Sequence, residues 1–194
     1  MTSLSDFIHR FQLQLPVQPL SMKPEHLNNN QRHAAVLLPI ICKPEPTLLF
    51  TQRSNNLRSH AGQIAFPGGA ADPEDSSLIA TALREAEEEV SISHHQVQVL
   101  GQLAPLNSSG GYRVTPIVGL VSPPFSFQAN PAEVDRVFEV PLFDTLSLPH
   151  YQYLDIKRQN RQHRIYFYWY REQMIWGLTA AIIYQLAQQI QKLR

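Results

Sequence analysis

The sequence predicts an α/β sandwich, α+β in the order of its elements, and three observations carry that prediction. Apolar runs of strand length recur along the chain and outnumber the helical patterns. Helical spacing is confined to the start, the middle and the end. Loops rich in proline, glycine and asparagine separate the runs. Helices layered against a sheet are the arrangement into which such a pattern packs.

The elements follow in order. Leu4, Phe7, Ile8 and Phe11 keep helical spacing, with Ser5 the candidate cap. "LPVQPLSMKPEHLNNNQ" then reads as a connector. Residues 33–41 and 47–53 are strand-like, parted by a turn holding Pro44 and Pro46, and 54–63 is a polar loop. "IAF" is a short strand leading into "PGG", and residues 76–90 form the clearest interior helix. Strands are expected at 96–104 and 112–121, with "NSSGG" as the loop between them. "EVDRVFEVPLFDTL" mixes strand with a short helix, "YQYLDIKRQ" and "RIYFYWY" are strands joined by the polar "NRQH", and "LTAAIIYQLAQQIQKL" is helical. The chain thus divides into an N-terminal helix and connector, 1–30, and a single domain, 31–194.

Composition narrows the function. The 194 residues balance 16 Lys and Arg against 16 Asp and Glu, so no overall field attracts nucleic acid or anionic lipid. No basic face or RNA-binding motif is present, which argues against a nucleic-acid partner. Hydrophobic residues at 43% are enough for a core, yet no run is long enough to span a membrane. The N-terminus lacks the basic start and continuous apolar stretch of a secretory signal. A single cysteine, Cys42, excludes an internal disulfide and suits a reducing compartment, so the expected location is cytoplasmic. The eight histidines show no zinc-site spacing.

Charge is concentrated instead on the interior helix. With about 100° per residue and Glu85 at zero, Glu88 falls near −60° and Glu89 near +40°, so three carboxylates share one face. Ile79, Leu83, Ala86 and Val90 form a separate apolar stripe at roughly 100° to 160°. Like charges at such spacing oppose helix formation unless cations neutralise them. Arg84 stands beside the trio and can orient a carboxylate through paired hydrogen bonds. Mg²⁺, which takes oxygen ligands beside phosphate-bearing substrates, fits this pattern. An ordinary solvated helix face is the competing reading. The "FPGG" turn just ahead, which brings bare backbone to the helix start, favours the metal.

Residues Arg84-Glu85-Ala86-Glu87-Glu88-Glu89 resemble the REUxEE core (U aliphatic) of the Nudix hydrolases, which cleave nucleoside diphosphates linked to another group. The fuller family box differs in three places. Ala70, one residue after Gly69, stands where it has glycine. Ser76, beside Glu74 and Asp75, stands at its early glutamate, and Ser91, before Ile92, at its late glycine. A longer stretch, 48–92, closely resembles the coenzyme A pyrophosphatase branch. There "LLFTQRSNNLRSHAGQIAFPGG" matches the branch's upstream signature, and Asp72 and Asp75 match its spacing before "TALREAEEE". Looser likeness extends through "GYRVTPIVG" to "WGLTA".

The resemblance implies a Nudix fold, an α/β/α sandwich around a mixed sheet, here with added N- and C-terminal helices. It also implies Mg²⁺- or Mn²⁺-dependent cleavage of coenzyme A, free, oxidised or acylated, to 3′,5′-ADP and 4′-phosphopantetheine. By motif position Glu85, Glu88 and Glu89 are the expected metal ligands, unless one of them, Glu85 first, serves instead as general base, and Gly69 either offers its carbonyl to the metal or simply makes a positive-φ turn. Arg53 and Arg58 lie in the upstream signature and either reach the phosphates, including the 3′-phosphate, or are ordinary surface arginines. His60 and Gln63 either hydrogen-bond substrate or satisfy loop backbone. Glu133 either supplies a further carboxylate, as later-loop glutamates do in other Nudix enzymes, or caps a helix or meets solvent. The alternatives are the same chemistry on ADP-ribose or NADH, and a non-catalytic nucleotide-binding module. A homodimer is possible, with the aromatic strand and the terminal helices as candidate seams.

Overall fold

The fold is built outward from the two longest apolar strands. A computed structural model describes residues 3–13, 31–57, 59–158 and 161–191; the connector expected between the first helix and the first strand lies mostly outside them. β1 (Arg32–Ile41) and β7 (Tyr112–Val121) pair in parallel over their whole length, from Arg32↔Tyr112 to Ile41↔Val121. Both are buried on both faces, as near-continuous apolar runs at the centre of a sheet should be. Around them stand β2 (Thr47–Arg53), β3 (Ile64–Ala65), β4 (Gly68–Ala70), β5 (Val97–Gln102), β6 (Leu106–Asn107) and β8 (Val134–Pro141). The sheet is ordered β3-β2-β1-β7-β5, with β4 on β1, β6 on β7 and β8 on β2. Every pairing other than β1–β7 is antiparallel, so the sheet is mixed.

Strand alternation sends successive side chains to two separate cores. Leu38, Ile40, Leu48, Phe50, Val118 and Leu120 face one side. There they meet Phe7 and Phe11 of α1 (Leu4–Leu13) and Ile183, Leu186 and Ile190 of α4 (Gly177–Gln191). Ala35, Leu37, Ile41, Leu49, Ile117 and Val121 face the other side, against Ala82, Ala86 and Val90 of α2 (Leu78–Val90). The expected α/β/α sandwich with helices at both ends of the chain is therefore the observed fold. After the short α3 (Leu142–Thr145), a second antiparallel sheet, ordered β11-β10-β9, is formed by β9 (Tyr151–Arg158), β10 (Arg161–Tyr170) and β11 (Gln173–Trp176). Tyr184 of α4 packs on Tyr166 and Tyr151 of this sheet.

Local departures from the expected elements have local causes. Helix α1 is capped by Ser3, whose Oγ accepts the Asp6 amide at 3.1 Å, and Ser5 lies inside the helix. Helix α2 begins after Ser77, whose Oγ accepts the Ala80 amide at 3.1 Å, two residues later than periodicity alone suggests. Strand β10 starts within the polar "NRQH", because pairing with β9 holds it and Arg164 grips Asp155 with two 2.7 Å bonds.

The position of the family's late glycine also becomes legible. Ser91 ends α2 in the left-handed region at φ 59°, with its amide donating to the Glu87 carbonyl at 3.0 Å. A side chain there is strained, which glycine relieves. Ser91→Gly is expected to stabilise the protein by about 0.5–1 kcal/mol after loss of the exposed Ser91–Gln128 hydrogen bond. Thermal melts should rise by roughly 1–4 °C; an unchanged or lower midpoint would count against the strain.

Candidate active site

The carboxylate trio divides by depth. Glu88 is 53% exposed, Glu85 15% and Glu89 only 2%. The expected apolar stripe was placed too far round the helix. Leu78 and Ala82, at about 20° and 60° from Glu85, are buried with Ala86 and Val90, while Ile79 and Leu83 are only half-buried. Glu89, at about 40°, thus sits in the middle of the buried arc rather than beside it.

Burial governs Glu89. Loss of water raises its carboxyl to about 7, against the opposing pull of Arg53 and the Gly68 amide. The Arg53 guanidinium stands 3.6 Å away and the Gly68 amide donates at 3.3 Å. Burial also raises Glu85, opposed by Arg84. The negative charge of Glu133 lifts both, which places it in the same field. Glu133 lies half-buried in a turn, its carbonyl accepting the Ser54 amide at 2.8 Å, and caps no helix.

Arg84 is the hub. Its Nη1 reaches Glu85 at 2.9 Å and Glu88 at 3.1 Å. Nε and Nη2 grip the two oxygens of Asp75 at 3.1 and 3.2 Å, and Nη2 also donates to the Ala70 carbonyl at 3.3 Å. Asp75 is held in turn by Thr81 Oγ1 at 2.8 Å and the Asp72 amide at 2.9 Å. Burial pushes Asp75 up, but Arg84 and the other donors outweigh it and hold the carboxyl below its ordinary value. The carboxylate missing at Ser76 is therefore supplied one residue earlier. Asp75 reads as spacing in the sequence because it lies ahead of the Ser77 cap, where helical periodicity carries no signal of its contact with Arg84.

Gly68 and Gly69 lie in β4, antiparallel to β1 at Val36 and Ala35. A Cβ on Gly69 would lie 2.5 Å from the Glu85 carboxylate, so the absent side chain is the space that carboxylate fills. The register between β2 and β8 shifts between Gln52 and Arg53, and such a bulge re-aims a side chain. Here it accompanies the turn of Arg53 toward Glu89. His60 Nδ1 is 2.9 Å from Gln63 Oε1, so these two exposed-loop residues partner each other. The Gln63 carbonyl accepts the Arg53 amide at 2.9 Å, tying that loop to the carboxylates. Arg58 lies outside the described residues.

The Glu85 and Glu89 carboxylates, beside the Gly68–Gly69 backbone, offer oxygen donors of the kind that hard divalent cations take. A buried carboxylate whose desolvation is only partly compensated gains from such a cation. Among the described residues, however, no three acidic, histidine or cysteine groups converge at ligand spacing; Arg84 stands between Glu85 and Glu88. The residues fit a metal in chemistry and neighbourhood, with side-chain adjustment around Arg84.

Comparison with known proteins agrees with this architecture. The sequence profile of the NUDIX domain matches residues 31–150. The chain belongs to the Nudix hydrolases. It is 69% identical over 191 residues to an uncharacterized Nudix hydrolase NudL of Photorhabdus laumondii, covering 98% of this chain and 100% of that one. A second Nudix hydrolase of the same name, from Yersinia enterocolitica, is 60% identical over 188 residues, covering 97% of this chain and 93% of its own. A C. elegans Ap4A hydrolase binary complex superposes with a TM-score of 0.50 at 21% identity, over 58% of this chain and 83% of that chain, a likeness of fold. As a Nudix hydrolase the protein acts on nucleoside diphosphate derivatives, and members of the family generally work with divalent cations such as Mg²⁺ or Mn²⁺. Among the described residues no helix is long and apolar enough to cross a membrane.

Proposed function

We propose that this Nudix hydrolase cleaves the diphosphate of coenzyme A or its thioesters to 3′,5′-ADP and 4′-phosphopantetheine or its acyl derivative, in the cytoplasm. The observation that carries the reading is the junction of two motifs. The upstream signature, specific to coenzyme A in the family it resembles, is joined to the carboxylate helix through Arg53, which pairs with Glu89 while its amide bonds to Gln63.

Glu85, Glu88, Glu89 and the Gly69 carbonyl would hold Mg²⁺ or Mn²⁺, with Glu133 as a further carboxylate. When bound, such a cation neutralises diphosphate charge and lowers the pKa of a coordinated water. Glu85, half-buried against Gly69, takes the proton from the attacking water. Arg84, anchored by Asp75, fixes the Glu85 carboxylate in place. Arg53 and Arg58 bind phosphate oxygens, and His60 and Gln63 position the signature loop against the substrate.

Chromatographic product analysis tests this with coenzyme A, ADP-ribose and NADH, each with Mg²⁺, Mn²⁺ or excess chelator. Metal-dependent 3′,5′-ADP and 4′-phosphopantetheine from coenzyme A is the expected result. Turnover of only ADP-ribose or NADH would keep the chemistry and overturn the substrate.

A further inference from the structure

A cavity of about 400 Å³ opens between the upstream-signature loop and β11, within the size range of small-molecule sites. One wall is Gln52 of β2 with Gly62 and Gln63 of the upstream signature. The facing wall is Gln173, Met174 and Trp176 of β11, which lies beyond the region matched by the NUDIX profile. Two bonds fix the distance between the walls. Thr179 Oγ1 donates to the Ile64 carbonyl at 3.0 Å in a buried contact, and Arg136 donates to Gln173 Oε1 at 2.6 Å.

The lining has a definite chemistry. Among the described residues every side chain lining the cavity is uncharged, so it offers no cation to pair with a phosphate. Three glutamine amides stand beside a thioether and an indole, and the two large apolar side chains each remain 39% exposed. That combination complements an uncharged arm carrying amides, methyl groups and sulfur. The cavity and the candidate site meet at neighbouring residues of one strand. Gln52 lines the cavity and Arg53 pairs with Glu89.

We infer that this cavity receives the pantetheine arm of the substrate, with any acyl group it carries, and that Trp176 and Met174 set how much apolar bulk is accepted. The inference rests on the coenzyme A reading, and its test separates the two. Wild type, Trp176→Ala, Met174→Ser and Leu154→Ala, each shown to be folded by circular dichroism, are titrated with S-octanoylpantetheine by ligand-observed NMR. That probe carries the arm without phosphate. Wild type is expected to bind it saturably, and Trp176→Ala and Met174→Ser to bind at least about tenfold more weakly. Leu154→Ala, whose exposed side chain lies on the same sheet but does not line the cavity, should bind like wild type. In turnover the two cavity variants should raise KM for octanoyl-coenzyme A, keep kcat, and leave inhibition by 3′,5′-ADP unchanged. Absence of binding by wild type, unaltered binding by Trp176→Ala, or an equal loss in Leu154→Ala would overturn the assignment. Binding of the probe without cleavage of any coenzyme A ester would uphold the cavity and overturn the substrate reading.

Discussion

Glu89→Gln is expected to lower turnover by at least about 10³-fold while the protein stays folded, because an amide cannot supply the charge that a divalent cation requires there. Its effect on stability runs the other way. The Glu89 carboxyl, raised to about 7 in the folded protein by burial, holds its proton over a range where the unfolded chain has lost it. In chelator, wild-type stability should therefore fall as pH rises from the ordinary carboxylate range through 7. Glutamine, already neutral and of the same shape, removes that slope. Melts in chelator at pH 5 and pH 8 should show the variant gaining on wild type at the higher pH. A gap independent of pH would refute the buried-charge account, and near-wild-type turnover would refute the metal assignment.

Gly69→Ala is expected to cost about 10- to 100-fold in kcat/KM, through displacement of the Glu85 carboxylate from the place it fills against the backbone. The new methyl meets only the end of a flexible side chain, which can swing toward solvent, so the melting temperature should change little. Gly68→Ala is the contrast. There a Cβ meets the Ala35 carbonyl and lies 2.6 Å from Val36 Cα, both backbone, so strands β1 and β4 must separate. The first variant should lose activity and keep stability, and the second should lose both. Activity of Gly69→Ala within about twofold of wild type would show that Glu85 works from another position.

What the sequence made legible was mostly local. The strands at 47–53 and 112–121 have the bounds that alternation and turn residues assign them. The contacts of Arg84 with Glu85 and Glu88 follow from chain adjacency and helical spacing alone. The depth of Glu89 was not legible, because it depends on Ala82 and Ala86 being small enough to bring that arc of α2 onto the sheet. Nor was the bond from Arg84 to Asp75, which needs the turn ahead of α2, closed by the Asp75 amide on the Asp72 carbonyl, to lie back along the helix. The wall that Trp176 gives to the cavity comes from the far end of the chain, and no periodicity relates it to Gln63.

The two-sided central sheet also decides where the molecule can be cut. Tyr168, Ile175, Ile182, Ile183 and Leu186 belong to the same core as Leu38, Phe50 and Val118. A polypeptide ended at residue 150 would keep every carboxylate and arginine of the proposed chemistry, yet leave α1 alone to cover one face of the sheet. The unit that carries the family's signature is thus smaller than the unit that fills the core. Any graft, fusion or trimmed version must carry the last sheet and helix to keep that core covered.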